Sequence, residues 1–260
     1  MQHGQSRAVS CDRSTPGRSL LPFLLGLAIL GGACARDTAI DNRSPQARKA
    51  DNLVEQSHIA LNDFLANREM GEPVRALLRR AKAVQVYPQV LKAAFFFGAS
   101  GGSGVAMART TDDRWDGPAF YTMGGVSFGL QAGAEAKEVL LVALTDRGLS
   151  ALQSTNAKLG ADAGVAIGPI GYGAAAATQN LSADIISYVL SKGLYAGISV
   201  DGAVVGSRSA LNQAYYGHAV TPTDILVRHA VTNPQAAGLL GSVRAAAAPR
   251  DGNVAQKQNQ

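Results

Sequence analysis

Cysteine, histidine and aromatic residues are scarce in this 260-residue chain, and each scarcity closes off a class of chemistry. There are two cysteines, Cys11 and Cys34. Cys11 lies in a segment expected to be removed, so the mature chain has no disulfide framework even in an oxidising compartment. Outside that segment the histidines are His58, His218 and His229. They are widely spaced and no acid completes a short ligand motif, so no metal site and no cofactor is expected. No run of about 20 consecutive apolar residues occurs, which excludes an ordinary membrane-spanning helix. The formal charge is +5, of which Arg7, Arg13 and Arg18 against Asp12 hold +2, leaving +3 for the rest. That excess is too small for a nucleic-acid footprint, although it leaves room for a local basic patch facing anionic lipid.

What the chain does have is apolar content of 47% with charged residues at 17%, a profile that folds rather than stays disordered. Glycine is abundant at 29 residues, and it sits beside short β-branched runs, which favours a turn-rich β component over a helical bundle.

Residues 1–33 read as an export signal. Arginines precede the apolar run Leu20–Leu30, and Gly31-Gly32-Ala33 leads into Cys34. A cysteine directly after three small residues resembles a bacterial lipobox, with Gly31 where Leu is usual. Cys34 is therefore the expected lipidation site, the alternative being an ordinary small residue near a conventional cleavage site. Ala35 follows it in place of an Asp, which favours an outer-membrane anchor facing the periplasm. Residues 34–50 are read as the lipidated cysteine and a tether, 51–240 as one domain, and 241–260 as a disordered tail.

Within the domain, a helix is predicted from about Gln46 to Ala66, ended by Met70-Gly71. A second is opened by Glu72-Pro73, with Val74, Leu77, Leu78 and Ala81 on its apolar face. Arg75, Arg79 and Lys82 gather on one flank and Arg80 on the other, the densest basic cluster outside the signal. Such a cluster is either a solvated helix face or a site for lipid phosphates.

After Pro88 the pattern turns to β. Ala94–Phe97 and Val105–Ala108 flank a glycine–serine run, Gly98–Gly104, read as a hairpin with a long loop. Thr110–Gly117 reads as a polar turn. Strands follow around Ala119–Met123, Val126–Leu130 and Glu138–Leu144, then a short helix capped by Thr145. Asp162–Ala177 reads as a small-residue strand pair, and Ile185–Leu190 is apolar. Tyr195–Val200, Asp201-Gly202 and Ala203–Val205 form a hairpin signal. Two helices capped by Thr221 and Asn233 close the domain. The fold class is α+β: amino-terminal helices, a mainly antiparallel, glycine-rich β-sheet, and short carboxy-terminal helices.

Catalytic patterns are weak. Gly98–Gly102 and Gly125–Gly129 both match Gly-x-Ser-x-Gly, and Asp146, Asp184, Asp201, His218 and His229 lie downstream of Ser127. Neither match leads into a long helix, so serine hydrolase stands last among the readings, with Ser127 and His218 or His229 as its actors. Gly171–Ala176 is similar to a dinucleotide fingerprint, but Asp184 is too near to serve as its acid. Asp112-Asp113 suits a solvated turn, and Tyr215-Tyr216 the burial of a strand end. No catalytic residue is assigned and the chain is read as not an enzyme.

Four blocks carry a resemblance: AKAVQVYPQVLKAAFFFGASGGSGVAM (81–107), SFGLQAGAEAKEVLLVALTDRGLSAL, GADAGVAIGP and SKGLYAGISVDGAVV, with the ending NQAYYGHAVTPTDIL. In this order, over Asp51 to Leu226, the chain resembles the SYLF-domain family. The resemblance implies a non-enzymatic lipid-binding domain. Eukaryotic relatives bind phosphoinositides, and some bind and bundle actin, acting in endocytosis through attached SH3 or FYVE domains. Neither attached block is present in this chain, so actin is not expected as a partner. Membrane lipid headgroups are the expected partners, with Arg75, Arg79, Arg80, Lys82 and Lys92 as the lipid-binding residues that the resemblance places regionally. An envelope structural or protein-interaction module, with a protein partner, is the alternative.

Overall fold

The computed structural model describes residues 43–94, 97–128, 133–169, 183–191, 194–195 and 200–249. The export signal, Cys34, the Gly171–Ala176 pattern and the last eleven residues lie outside them.

Helix α1 (Pro45–Ala66) starts where sequence logic puts it. The Ser44 hydroxyl accepts from Ala47 N at 3.1 Å, and Pro45 takes the first-turn position, where no N–H is missed. Leu53, Val54, Ser57, Ala60, Leu61 and Phe64 form its buried stripe at 3.6-residue spacing. Asn67 closes it, and Gly71 opens α2 (Gly71–Leu78) instead of ending α1. A Cβ on Gly71 would lie 2.4 Å from Leu65 O, so glycine is what lets the two helices abut. α2 stops at Leu78, so Lys82 stands beyond the helix.

Nine strands follow among the described residues: β1 (Ala83–Ala94), β2 (Phe97–Arg109), β3 (Trp115–Phe128), β4 (Gly133–Ala143), β5 (Asn156–Lys158), β6 (Val165–Ile167), β7 (Ile185–Ser191), β8 (Leu194–Tyr195) and β9 (Val204–Ser207). Their order is β5-β9-β3-β2-β1-β4-β7-β6, with β8 on β7. Every pairing is antiparallel except β6 with β7. β1 is central, and from Ala83 to Tyr87 it is buried on both faces. Val84 and Val86 enter a core with Leu61, Phe64 and Leu78 on the helix face, while Ala83 and Tyr87 enter a second core with Leu141 and Leu152 on the other. The second face is closed by α3 (Asp146–Gln153), whose Thr145 cap forms as predicted, and by α5 (Pro222–Leu226). Between β9 and α5 lies α4 (Ser209–Tyr216). After α5, a 3₁₀ turn (Pro234–Ala236) leads into α6 (Ala237–Ala247). The α+β class holds.

Four local expectations are corrected. Gly98–Gly104 is strand, not loop, paired with β1 on one side and β3 on the other. The cause is a bulge at Tyr87-Pro88-Gln89, where β1 places an extra residue against both neighbours. A Cβ on Gly102 would lie 2.3 Å from Gln89 O, and one on Gly104 2.3 Å from Val86 O and 2.5 Å from the Tyr87 ring. Only glycine fits beneath the bulge. Second, Gly124-Gly125 does not split β3, which runs as one strand from the first predicted segment into the second as far as Phe128, residues 129 and 130 lying outside the described residues. Third, the Asp201-Gly202 turn forms, with Ala203 N donating to Val200 O at 3.1 Å, but β9 pairs with β3 and β5 on its two edges; residues 196–199 of the expected hairpin lie outside the described residues. Fourth, Tyr215 and Tyr216 end a helix, α4, not a strand. The Asn212 Oδ1 on α4 accepts from Phe120 N at 2.8 Å, and the Tyr215 ring meets the Phe120 ring edge-on at 5.1 Å. Helices also extend past the expected domain limits, since α1 begins at Pro45 and α6 runs to Ala247.

Candidate functional site

The basic residues expected to act together are distributed by the fold. Arg75 turns inward, its Nη1 donating to Leu65 O at 2.9 Å, and so ties α2 to the last turn of α1. Arg79 faces Glu72 at 3.4 Å. Lys82 pairs with Asp146 at 2.5 Å, on α3. Arg80 is exposed and has no partner among the described residues. Lys92 stands ten residues further along β1 than Lys82, about 33 Å of strand away. There it lies between Ser100 of β2 and Glu135 of β4. Glu135 is held below its ordinary pKa by the Ser191 hydroxyl first, then by Lys137, with Lys92 contributing charge. Lys92 therefore belongs to a separate polar row and not to the α2 flank.

A different convergence appears at the carboxy-terminal end of α2. Arg79, Arg109 at the end of β2 and Arg244 in the last turn of α6 line a cleft of about 490 Å³ together with Trp115 and Asp113. Arg109 is fixed in place. Its Nη2 donates to Leu78 O at 2.6 Å, its Nη1 to Asp113 at 3.3 Å, and its guanidinium lies 5.2 Å from the Trp115 ring centre. Asp113 reaches it from a tight turn in which Thr110 N donates to Arg114 O at 2.8 Å, and it holds a left-handed φ of 58°. Arg244 is exposed with no partner among the described residues. Three guanidinium forks thus face a space lined by one carboxylate. Planar forks of this kind match the oxygens of phosphate or carboxylate groups. Arg109 and Arg244 were not legible as site residues, since 135 positions separate them and only the fold joins them.

The catalytic alternative loses its geometry. Ser127 pairs with Gly98 at one end of β3. His229 Nδ1 sits 2.9 Å from Asp116 at the other end, eleven residues or about 36 Å of strand away. His218 accompanies Tyr216, whose hydroxyl donates to Pro118 O, again at the Asp116 end. Asp184 is occupied structurally, accepting from the Thr145 hydroxyl at 2.6 Å and from Gly164 N at 2.9 Å, which keep its pKa low. The buried phenols of Tyr87, Tyr121, Tyr215 and Tyr216 are pushed up by burial, so none supplies a phenolate base near neutrality. Among the described residues no group of three acidic, histidine or cysteine side chains is placed to hold a metal, and no helix is long and apolar enough to cross a membrane.

Comparison with known proteins agrees with a binding fold. The family model described as "Ysc84: Las17-binding protein actin regulator" matches residues 124–246, from the second half of β3 to the last turn of α6. Protein YSC84 of Saccharomyces cerevisiae is 31% identical over 210 residues, covering 77% of this chain and 44% of that protein. The SH3 domain-containing YSC84-like protein 1 of Rattus norvegicus is 32% identical over 152 residues, 58% of this chain and 44% of its own length. LAS seventeen-binding protein 3 of the same yeast is 33% identical over 154 residues, 58% of this chain and 33% of that one. This chain spans less than half the length of each of these relatives, and the last of them is named for binding. The chain belongs to the Ysc84, or SYLF-domain, family.

Proposed function

We propose that the domain is a non-enzymatic module that binds anionic phospholipid in a bacterial envelope, held at the membrane by a lipidated Cys34 and facing the periplasm from the outer membrane. The observation that carries this reading is the arrival of Arg79, Arg109 and Arg244 from three separate elements at one cleft with a single carboxylate, beside the exposed Arg80. Of the residues expected from the sequence, Arg80 is exposed without a partner among the described residues and Arg79 lines the cleft while also pairing with Glu72, whereas Arg75 and Lys82 are engaged elsewhere within the fold. One acyl anchor alone gives marginal membrane attachment, and a basic face beside it makes attachment stable. Actin is not part of the reading, because the actin term belongs to the description of the family model and the binding term to a longer relative.

Co-sedimentation with phosphatidylglycerol vesicles tests it on a Cys34→Ala chain, which removes the anchor and leaves only the face. Each basic residue at an anionic surface contributes about 1 kcal/mol, so Arg79→Gln with Arg244→Gln is expected to weaken binding roughly 30-fold. Binding should fall further between 0.1 and 0.5 M salt, about as the Debye length shrinks. Equal binding by the double variant, or binding indifferent to salt, would refute the proposal.

A further inference from the structure

A second concave surface lies on the helix face of the sheet, away from the arginine cleft, and no part of the phospholipid reading uses it. Its wall is one stripe of α1, with Arg48, Asn52, Gln56 and Ile59 at steps of four, four and three residues. Its floor is the β1 bulge and the β2 backbone beside it. Two adjoining hollows of about 610 and 220 Å³ share Gln56, Pro88 and Gln89, so the groove is continuous along the helix.

The bulge is what opens it. In a regular strand consecutive residues point to opposite faces, but the extra residue at Pro88 turns both Pro88 and Gln89 toward α1. Beyond the bulge, Leu91 is 55% exposed, since its strand neighbours are Gly101 and Ala136, neither of which can cover it. Ile59 is 54% exposed on the wall opposite. Two large aliphatic side chains left in solvent on facing sides of one groove want an apolar occupant.

Charge gives the groove a direction. Arg48 and Lys49 stand at the end where α1 begins, where the helix dipole adds partial positive charge. At the other end stands Glu138, the β4 residue opposite the bulge, with Oε2 buried and unpartnered. Burial first, and the charge of Asp63 on α1 second, push its carboxyl up to about 7. A second carboxylate is unwelcome there and welcome at the Arg48 end.

The chemistry between the ends decides the occupant. A hydrocarbon tail would leave the amides of Asn52, Gln56 and Gln89 unpaired along its length, whereas a peptide backbone pairs with them. β1 is hydrogen-bonded on both sides, so the occupant does not add a strand; it lies across side chains. From Arg48 to Ile59 the wall measures about 17 Å, the span of about five extended residues. We propose that this groove binds an extended segment of a protein partner, with acidic residues over Arg48 and Lys49 and aliphatic side chains against Leu91 and Ile59.

The probe is a displayed library of random dodecapeptides, panned on the full chain. The expected result is enrichment of peptides with acidic residues followed within about five positions by Leu or Ile. Their binding should fall at least tenfold on Lys49→Glu and on Gly101→Leu. A side chain at Gly101 has room, since the nearest heavy atom to a Cβ is 3.8 Å away, so it fills the groove without disturbing the sheet. Lys49 is exposed and has no partner among the described residues, so its substitution leaves the fold intact and keeps the test decisive if Gly101→Leu misfolds. Arg79→Gln with Arg244→Gln should leave peptide binding unchanged, which separates this site from the phospholipid cleft. Three results would overturn the inference. These are no enriched sequence, enriched peptides that bind both groove variants as tightly as the parent, and a fatty-acid probe excluded by Gly101→Leu while no peptide is selected.

Discussion

Replacing Glu138 with glutamine isolates a carboxyl whose ionisation works against the fold. One of its oxygens is buried without a partner, and Asp63 faces it from α1. Burial, then that neighbouring charge, raise its pKa from 4.5 to about 7. The folded chain therefore holds this proton more tightly than the unfolded chain does. The sign follows: the contribution is fully present below about pH 4.5 and is lost as pH rises through 7. Without screening, such a shift is worth about 3 kcal/mol, at 1.36 kcal/mol per unit. Glu138 is partly open to solvent at the groove, and screening leaves roughly 1 kcal/mol. Urea unfolding of parent and Glu138→Gln at pH 5 and pH 8.5 measures it. The parent should lose roughly 1 kcal/mol more than the variant between those conditions, and the variant should be the more stable at pH 8.5. Glu135 and Asp184, held low by hydroxyl and backbone donors, act with the opposite sign: their contribution is present above the ordinary carboxylate pKa and lost as pH falls. They stay out of this window. Parallel pH dependences for the two proteins would refute the reasoning.

Gly104→Ala should lower stability by about 2–3 kcal/mol, because the Tyr87 ring it strikes is itself fully buried. Gly101→Ala, with nothing closer than 3.8 Å, should leave the thermal midpoint unchanged. Asn212→Ala strands the buried Phe120 N–H, at a cost of about 1–3 kcal/mol in denaturant unfolding. Arg109→Lys keeps the charge but cannot hold both Leu78 O and the Trp115 face. It should weaken both vesicle binding and thermal stability, whereas Arg244→Gln should lower binding alone.

The helical parts were legible because their signals are local. Thr145, Thr221-Pro222 and Asn233-Pro234 each announce a cap within a few residues, and all three caps form, while the Ser44-Pro45 cap lies in the stretch expected to be tether. The strand errors share one cause: glycine and proline were read by their intrinsic preference, and pairing overrode it. Pro88 belongs at a strand's edge by its missing N–H, yet a bulge lets the central strand carry it. Gly102 and Gly104 look like loop because their reason for being glycine is a clash with a different strand. Helix α4 has no capping side chain at Arg208, and its anchor is Phe120, 92 residues earlier. The arginine cluster was legible only as a run on one helix. Its working geometry takes Arg79 from that run and adds Arg109 and Arg244, which no local window could join to it.

The contact of the first helix with the last has a consequence in time. His58 on α1 meets Ser242 on α6 at 2.8 Å across 184 residues of chain. During synthesis at about 5–20 residues per second, α1 waits roughly 10–40 s for the helix that covers it. Until then Leu53, Leu61 and Phe64 have no complete core to enter. For a chain exported as proposed, that wait is an advantage: the leading segment stays unlocked and can be threaded across a membrane before the trailing helix arrives to close the fold.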